Sequence, residues 1–431
     1  MSRRRPVKLS AVVAAVAAAA LLLASCGNSK GNTGATGSQT QGVTNTEIDV
    51  GSIANVTGPL SADFAPIVNG VEAYFSMVNA AGGVSGRKLV LKYQTDDQGS
   101  ATGDLSAAQT LVQKDHAFAV VGVGTPFFGG AKYLGQNNIP TFGYVVSSDW
   151  SPYKSLFGDY GSYLYFPGGG PGDGYIAQQL GAKSIAVVAY GVPQSAAACQ
   201  AAVTALRGFG LNVSYTNLNF PFGSDPTADV LQMKSAGVDL LFACLDVTGN
   251  VAFARAIIQN GLTMNQVWFN GYDRGTLQQY SSIMQGVYFG VQHVPFEAAL
   301  RFPGVYPGLD TYIREMEKYQ PKYTYNETAL DGWMAADQFV TGLKAVGHDV
   351  TQSKLVDAIN KEKAYNGGGL TTPVDWTKAH TTPVPPFCQA SVKVEGDSFV
   401  PSFIQGTNQV FTCFDAGSTT PVAPPPQTPG L

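Results

Sequence analysis

Charge is scarce in this chain. Only 13% of its 431 residues are Asp, Glu, Lys or Arg, and the formal net charge is -4. A surface so poorly supplied with cations offers no track for a phosphate backbone, which excludes a nucleic-acid binder. Histidine is limited to His116, His293, His348 and His380, scattered along the chain, and no CxxC or HExxH occurs, so no metal site is expected. There is no GxxxxGK[ST] and no GxSxG on a strand-to-helix turn, and Gly168, Gly170, Gly172 and Gly174 do not reproduce GxGxxG. Without a clustered nucleophile, base and orienting acid, nothing points to an enzyme, and no cofactor is expected.

Long apolar runs are also missing, except over 9–24, which is shorter than the roughly 20 residues a membrane-spanning helix needs. That run follows a basic start (SRRRPVK) and ends in Leu23-Ala24-Ser25-Cys26-Gly27. It reads as a signal peptide over 1–25. The terminal box resembles the bacterial lipoprotein cleavage site, which implies a lipid on Cys26 and an extracytoplasmic protein anchored to the bacterial cell membrane. Loss of the leader removes Arg3, Arg4, Arg5 and Lys8 and deepens the net charge to -8. Residues 26–45, rich in Gly, Ser, Thr and Asn, read as a flexible tether.

Four further cysteines remain, Cys199, Cys244, Cys388 and Cys413, an even number in an oxidising compartment. Four cysteines allow three pairings. Cys199 with Cys244, in neighbouring strand-helix units, and Cys388 with Cys413, flanking a hairpin-like stretch, are favoured over the others and over free buried thiols.

What is abundant is apolar content, 45%, together with 50 glycines and 25 prolines. A chain of this length exceeds the roughly 250–300 residues at which one core stops growing, so two lobes are expected. The stretch 48–97 sets the pattern. IDVGSIA is a strand, Phe64, Ile67, Val68, Val71, Tyr74, Phe75 and Val78 recur at helical spacing on one face, NAAGG ends that helix, and KLVLKYQ is the next strand. The alternation continues through FAVVGVG and TFGYVVSS (141–148). It breaks over 149–174 into a glycine- and aromatic-rich loop ahead of a helix capped by Asp173, and resumes from SIAVVAY to GVYFGVQ. Strand and helix alternating through short loops give doubly wound parallel sheets of the α/β class, with ligands bound outside the carboxyl ends of the strands. Later helices follow at 310–319, 328–346 and 355–360, then hairpin-like strands and a tail over 416–431 expected to be disordered.

Thr57-Gly58-Pro59, a helix, Asn79 with Gly82-Gly83-Val84 and Gly86-Arg87, and Asp96-Asp97 at a strand end resemble the opening of the branched-chain amino acid type of periplasmic substrate-binding proteins. The likeness extends over about residues 46–400. It implies the type I fold, two lobes joined by three hinge crossovers, with 46–165 plus 293–372 forming one lobe and 166–292 plus 373–415 the other. It also implies a small-molecule ligand in the cleft and an ABC transporter permease as partner, the protein acting as a monomer.

Carried over by position, the resemblance makes Ser147 and the main chain near Val145 a holder of ligand carboxylate, and Asp273 the partner of ligand ammonium. Loop positions around the cleft add Asn55, Thr57, Asp63, Phe64, Thr125, Tyr190, Gln194 and Asp246. Here the expected serine-rich turn is Thr125-Pro126-Phe127-Phe128, and proline supplies no N–H. Phe127, Phe128, Tyr144 and Tyr272 therefore predict a cleft more aromatic than that of a simple amino-acid binder, suited to a small apolar or aromatic carboxylate, amide or modified amino acid. A ligand sensor of the same fold is the alternative, and a secreted enzyme the lesser one.

Overall fold

The computed structural model describes residues 40–58, 60–163, 170–323, 325–383 and 385–426. The leader and Cys26 lie outside these residues. The first sheet contains β1 (Glu47–Ala54), β2 (Lys88–Asp96), β3 (Val120–Gly124), β4 (Thr141–Gly143) and β5 (Leu156–Gly158) in the order β2-β1-β3-β4-β5, every pair parallel. The second is built on β6 (Ile185–Tyr190), β7 (Val213–Phe220), β8 (Leu240–Cys244), β9 (Asn265–Trp268) and β10 (Val287–Val291), again parallel, in the order β10-β9-β8-β6-β7. Antiparallel β11 (Phe387–Glu395) extends it beside β10, with β12 (Ser398–Ser402) and β13 (Thr412–Phe414) both on β11. In each lobe the connections reverse direction beside the first strand, which opens a crevice at the carboxyl ends of β1 and β6.

Full burial of β3, β6 and β8 explains their unbroken Val, Ile, Leu and Ala runs: both faces are covered, so no alternation is selected. The helix Glu327–Val346 returns from the second lobe to lie along the helix Ile67–Ala80 of the first. Tyr74 packs edge-on against Trp333 at 4.8 Å, and its hydroxyl donates to Asp337 at 2.6 Å. Two glycines let the backbones touch. A Cβ at Gly70 would lie 1.8 Å from the Ala329 carbonyl oxygen, and one at Gly332 would lie 1.9 Å from that of Ile67.

Several sequence expectations are corrected. The helix drawn through Phe64 is two helices, Ser61–Phe64 and Ile67–Ala80, because Pro66 interrupts the hydrogen-bond ladder. The strand expected over 141–148 ends at Gly143. Asp173 is not the cap of its helix; it stands in the first turn of Pro171–Gln179 and accepts from the Gly170 N–H at 3.2 Å. Gln41 and Val43, expected within the tether, are held: Gln41 donates to the Val112 and Ala117 carbonyls and Val43 is buried. The tail is held as far as Val422, whose N–H donates to the Cys413 carbonyl at 2.8 Å.

Cys199 is bonded to Cys244, and Cys388 to Cys413. The first bridge ties the helix Pro193–Gly208 to the end of β8; the second joins β11 to β13. Among the described residues no helix is long and apolar enough to cross a membrane.

Substituting Gly332→Ala forces the two packed helices apart. The expected cost is about 1–3 kcal/mol, as for overpacked cores generally. Chemical denaturation should show the midpoint falling, and an unchanged midpoint would refute the backbone contact.

Candidate functional site

A cavity of about 570 Å³ lies between the lobes, within the usual range for small-molecule sites. Loops at the carboxyl ends of both sheets form its walls. From the first lobe come Asn55 after β1, Phe127 after β3 and Tyr144 and Val145 after β4, with Asp63 and Phe64 from the short helix; from the second come Tyr190 at the end of β6, Asp246 after β8 and Gln194.

The first wall is fixed by Asp97, buried at the end of β2. Its carboxylate accepts from Asn55 Nδ2 at 2.7 Å, from the Gly99 N–H at 2.7 Å and from Thr125 Oγ1. Thr125 is thereby turned into the wall and away from the cavity. Asp96 performs the same service for the TGP turn, accepting from the Val56 and Thr57 N–H groups and from Thr57 Oγ1, so Thr57 faces Asp96 and not the cleft. These bonds hold the Asp96 carboxyl below its ordinary pKa despite some desolvation.

Further expected site residues are placed elsewhere. Phe128 is buried against Trp150 at 4.6 Å. Ser147 donates to Asp149 at 2.9 Å and does not line the cavity. Tyr272 sits in an aromatic core with Phe296 and Phe399, its hydroxyl donating to Glu297 and accepting from the Phe296 N–H. Asp273 caps the helix Arg274–Tyr280 through the Thr276 N–H at 2.7 Å and is also absent from the lining. The two ends assigned to a zwitterion therefore do not meet in the cavity.

Asp246 does meet it. Its Oδ1 accepts from Tyr190 Oη at 2.6 Å and from the Gly249 N–H at 2.8 Å, so one residue both caps a helix and presents charge. Tyr190 packs at a tilt, 4.9 Å from the exposed Phe222, and Phe64 lies 6.0 Å from Tyr144. Residues that sequence reasoning missed complete the site. Tyr160, in the loop after β5, donates to Asp331 at 3.2 Å, and Asp159 accepts from the Val145 and Tyr160 N–H groups. The signal for Asp331 was available, because a carboxylate inside ALDGWM interrupts an otherwise apolar helix face.

Electrostatics sets this cavity apart. Asp63, Asp173, Asp246, Glu327 and Asp331 line it, and among the described residues no Lys, Arg or His does. Glu327 is met by His293 Nε2 at 3.2 Å, outside the lining. Burial, then repulsion from Asp246 and Asp273, pushes Asp63 up to about 7. Burial likewise pushes Asp159 to about 7, Asp173 to about 7 and Asp104, behind the first wall, to about 8, while Asp331 is raised by burial and by Asp159.

This geometry, two doubly wound lobes meeting at a ligand-sized cavity, defines a solute-binding protein fold. The periplasmic binding protein family model matches residues 47–397, and the chain belongs to that family. The fold is similar to that of a fatty acid ABC transporter substrate-binding protein from Thermomonospora curvata (TM-score 0.70, 18% identity, 87% of this chain and 94% of that one). It is similar to an ABC transporter solute binding protein from R. palustris in complex with benzoate (TM-score 0.70, 16% identity, 87% and 99%). In sequence, 74 residues are 38% identical to Leu/Ile/Val-binding protein homolog 3 of Brucella melitensis; the match spans 17% of this chain and 20% of that relative's length.

Carboxyls that hold protons more tightly when folded favour the folded state at low pH, and that contribution is lost as pH rises from the ordinary 3.8 through the folded values. Buried His380, lowered to about 4, acts oppositely, but its effect is complete above its ordinary 6.5. Between about pH 6.5 and about pH 8 the ligand-free protein should therefore lose on the order of 3 kcal/mol. Calorimetric melting at the two pH values checks this, and a flat or rising stability would contradict it.

Proposed function

We propose that the chain is the substrate-binding component of an ABC importer, held outside the membrane by a lipid on Cys26, and that it captures a small molecule with an apolar or aromatic body. The observation that carries this reading is the cavity of about 570 Å³ walled by strand-end loops of both lobes. A ligand touching both walls favours the closed arrangement of the lobes, and a permease can distinguish closed from open. Phe64, Phe127, Tyr144 and Tyr160 on one side and Tyr190 and Phe222 on the other supply the aromatic surface. The carboxylate end of an amino acid finds little here. The Val145 N–H, where the resemblance places it, is already taken by Asp159 at 3.3 Å. The protein works as a monomer.

A thermal-shift screen of small metabolites tests the capture. Ligand at about 100 times its dissociation constant stabilises the native state by about 2.7 kcal/mol. A hit should also shrink the radius of gyration in X-ray scattering. Phe127→Ala should weaken binding about tenfold or more, as expected for roughly 1.5–3 kcal/mol of aromatic burial. A library without a single hit would refute the reading. For the anchor, Cys26→Ser should release the protein from the membrane fraction.

A further inference from the structure

We propose that the ligand of this cleft is an organic cation, an ammonium group on an apolar or aromatic body, without a free carboxylate. The inference rests on the solute-binding reading above and names the charge of the solute.

Three independent features support it. Asp63 on the first wall carries a carboxylate with no hydrogen-bond partner among the described residues, and Asp246 on the second uses only Oδ1 within the protein. Burial, and then repulsion from Asp246, pushes the Asp63 carboxyl above its ordinary range. Where both are ionised, like charges on facing walls oppose closure, and a cation placed between them reverses the sign of that interaction and draws Asp63 into its ionised form.

Asn55 supplies the second feature. It lines the cavity, it is fully buried, and among the described residues its Oδ1 has no partner, while Nδ2 is committed to Asp97. That bond fixes the orientation of the amide, so the orphan atom is an acceptor. An N–H donor from a ligand satisfies it, whereas a carboxylate oxygen cannot.

The aromatic lining is the third. Tyr144, Tyr160 and Tyr190 line the cavity, and tyrosine rings attract ammonium and guanidinium groups. A carboxylate would enter a cavity in which no Lys, Arg or His lines the wall among the described residues, and would face Glu327 besides. Asp159 already occupies the Val145 and Tyr160 N–H groups.

Calorimetric titration of the full chain with matched probes tests the charge: 2-phenylethylamine and benzyltrimethylammonium as cations, phenylalanine as zwitterion, 3-phenylpropionate as anion and 3-phenylpropionamide as neutral isostere. At least one cation should bind about tenfold or more tightly than the anion and the amide. Asp63→Asn and Asp246→Asn should each weaken cation binding about tenfold and leave the amide unaffected, and Asn retains the helix cap that Asp246 provides. Should Asp246→Asn fail to fold, Asp63→Asn decides, because that side chain holds nothing in place. Binding by the anion or amide at equal or greater strength overturns the cation and leaves the solute-binding reading intact. Absence of binding by every probe also overturns it; the library screen then decides separately whether the cleft binds solutes at all.

Discussion

Desolvation of carboxyl groups is the constraint on which this structure turns. In water each acid would be ionised and harmless at neutral pH; between the lobes, burial makes the charged form costly and neighbouring acids add to the cost. Some of these acids are given donors from the main chain and from side chains. Asp97 and Asp159 each serve as anchors, the first for Asn55, Gly99 and Thr125, the second for Val145 and Tyr160. Asp63 receives no such donor among the described residues, and it lines the cavity with Asp246 of the other lobe.

Rigid walls are needed for that facing to mean anything. The backbone contact of the helices Ile67–Ala80 and Glu327–Val346 at Gly70 and Gly332 supports the first wall and carries Glu327 and Asp331 to the cavity. The Cys199–Cys244 bridge performs the corresponding task in the second lobe, two residues before Asp246. Position, more than residue type, distinguishes the cleft acids from the others.

Much of the fold was legible from residue order. Strand-helix alternation, the TGP and NAAGG turns and the pairing of cysteines between adjacent units each depend on local chemistry, and local chemistry is written in sequence. The site was legible only in part. Asn55, Asp63, Phe64, Phe127, Tyr144, Val145, Tyr190, Gln194 and Asp246 do reach the cavity, because a residue just past a parallel strand has few other places to go. Thr57, Thr125, Phe128, Ser147, Tyr272 and Asp273 occupy similar loops, yet each is drawn elsewhere by a partner that no spacing rule identifies: Asp96, Asp97, Trp150, Asp149, Glu297 and the Thr276 N–H.

The sequence alone determined the class of the protein, since hydrophobic period, turn residues and chain length act within a few tens of residues. Tertiary structure decided the character of the cleft. Asp331 and Glu327 come to it from nearly 270 residues beyond Asp63, and Asp246 from the other lobe, so their shared field exists only once the chain has brought them together and removed the water between them.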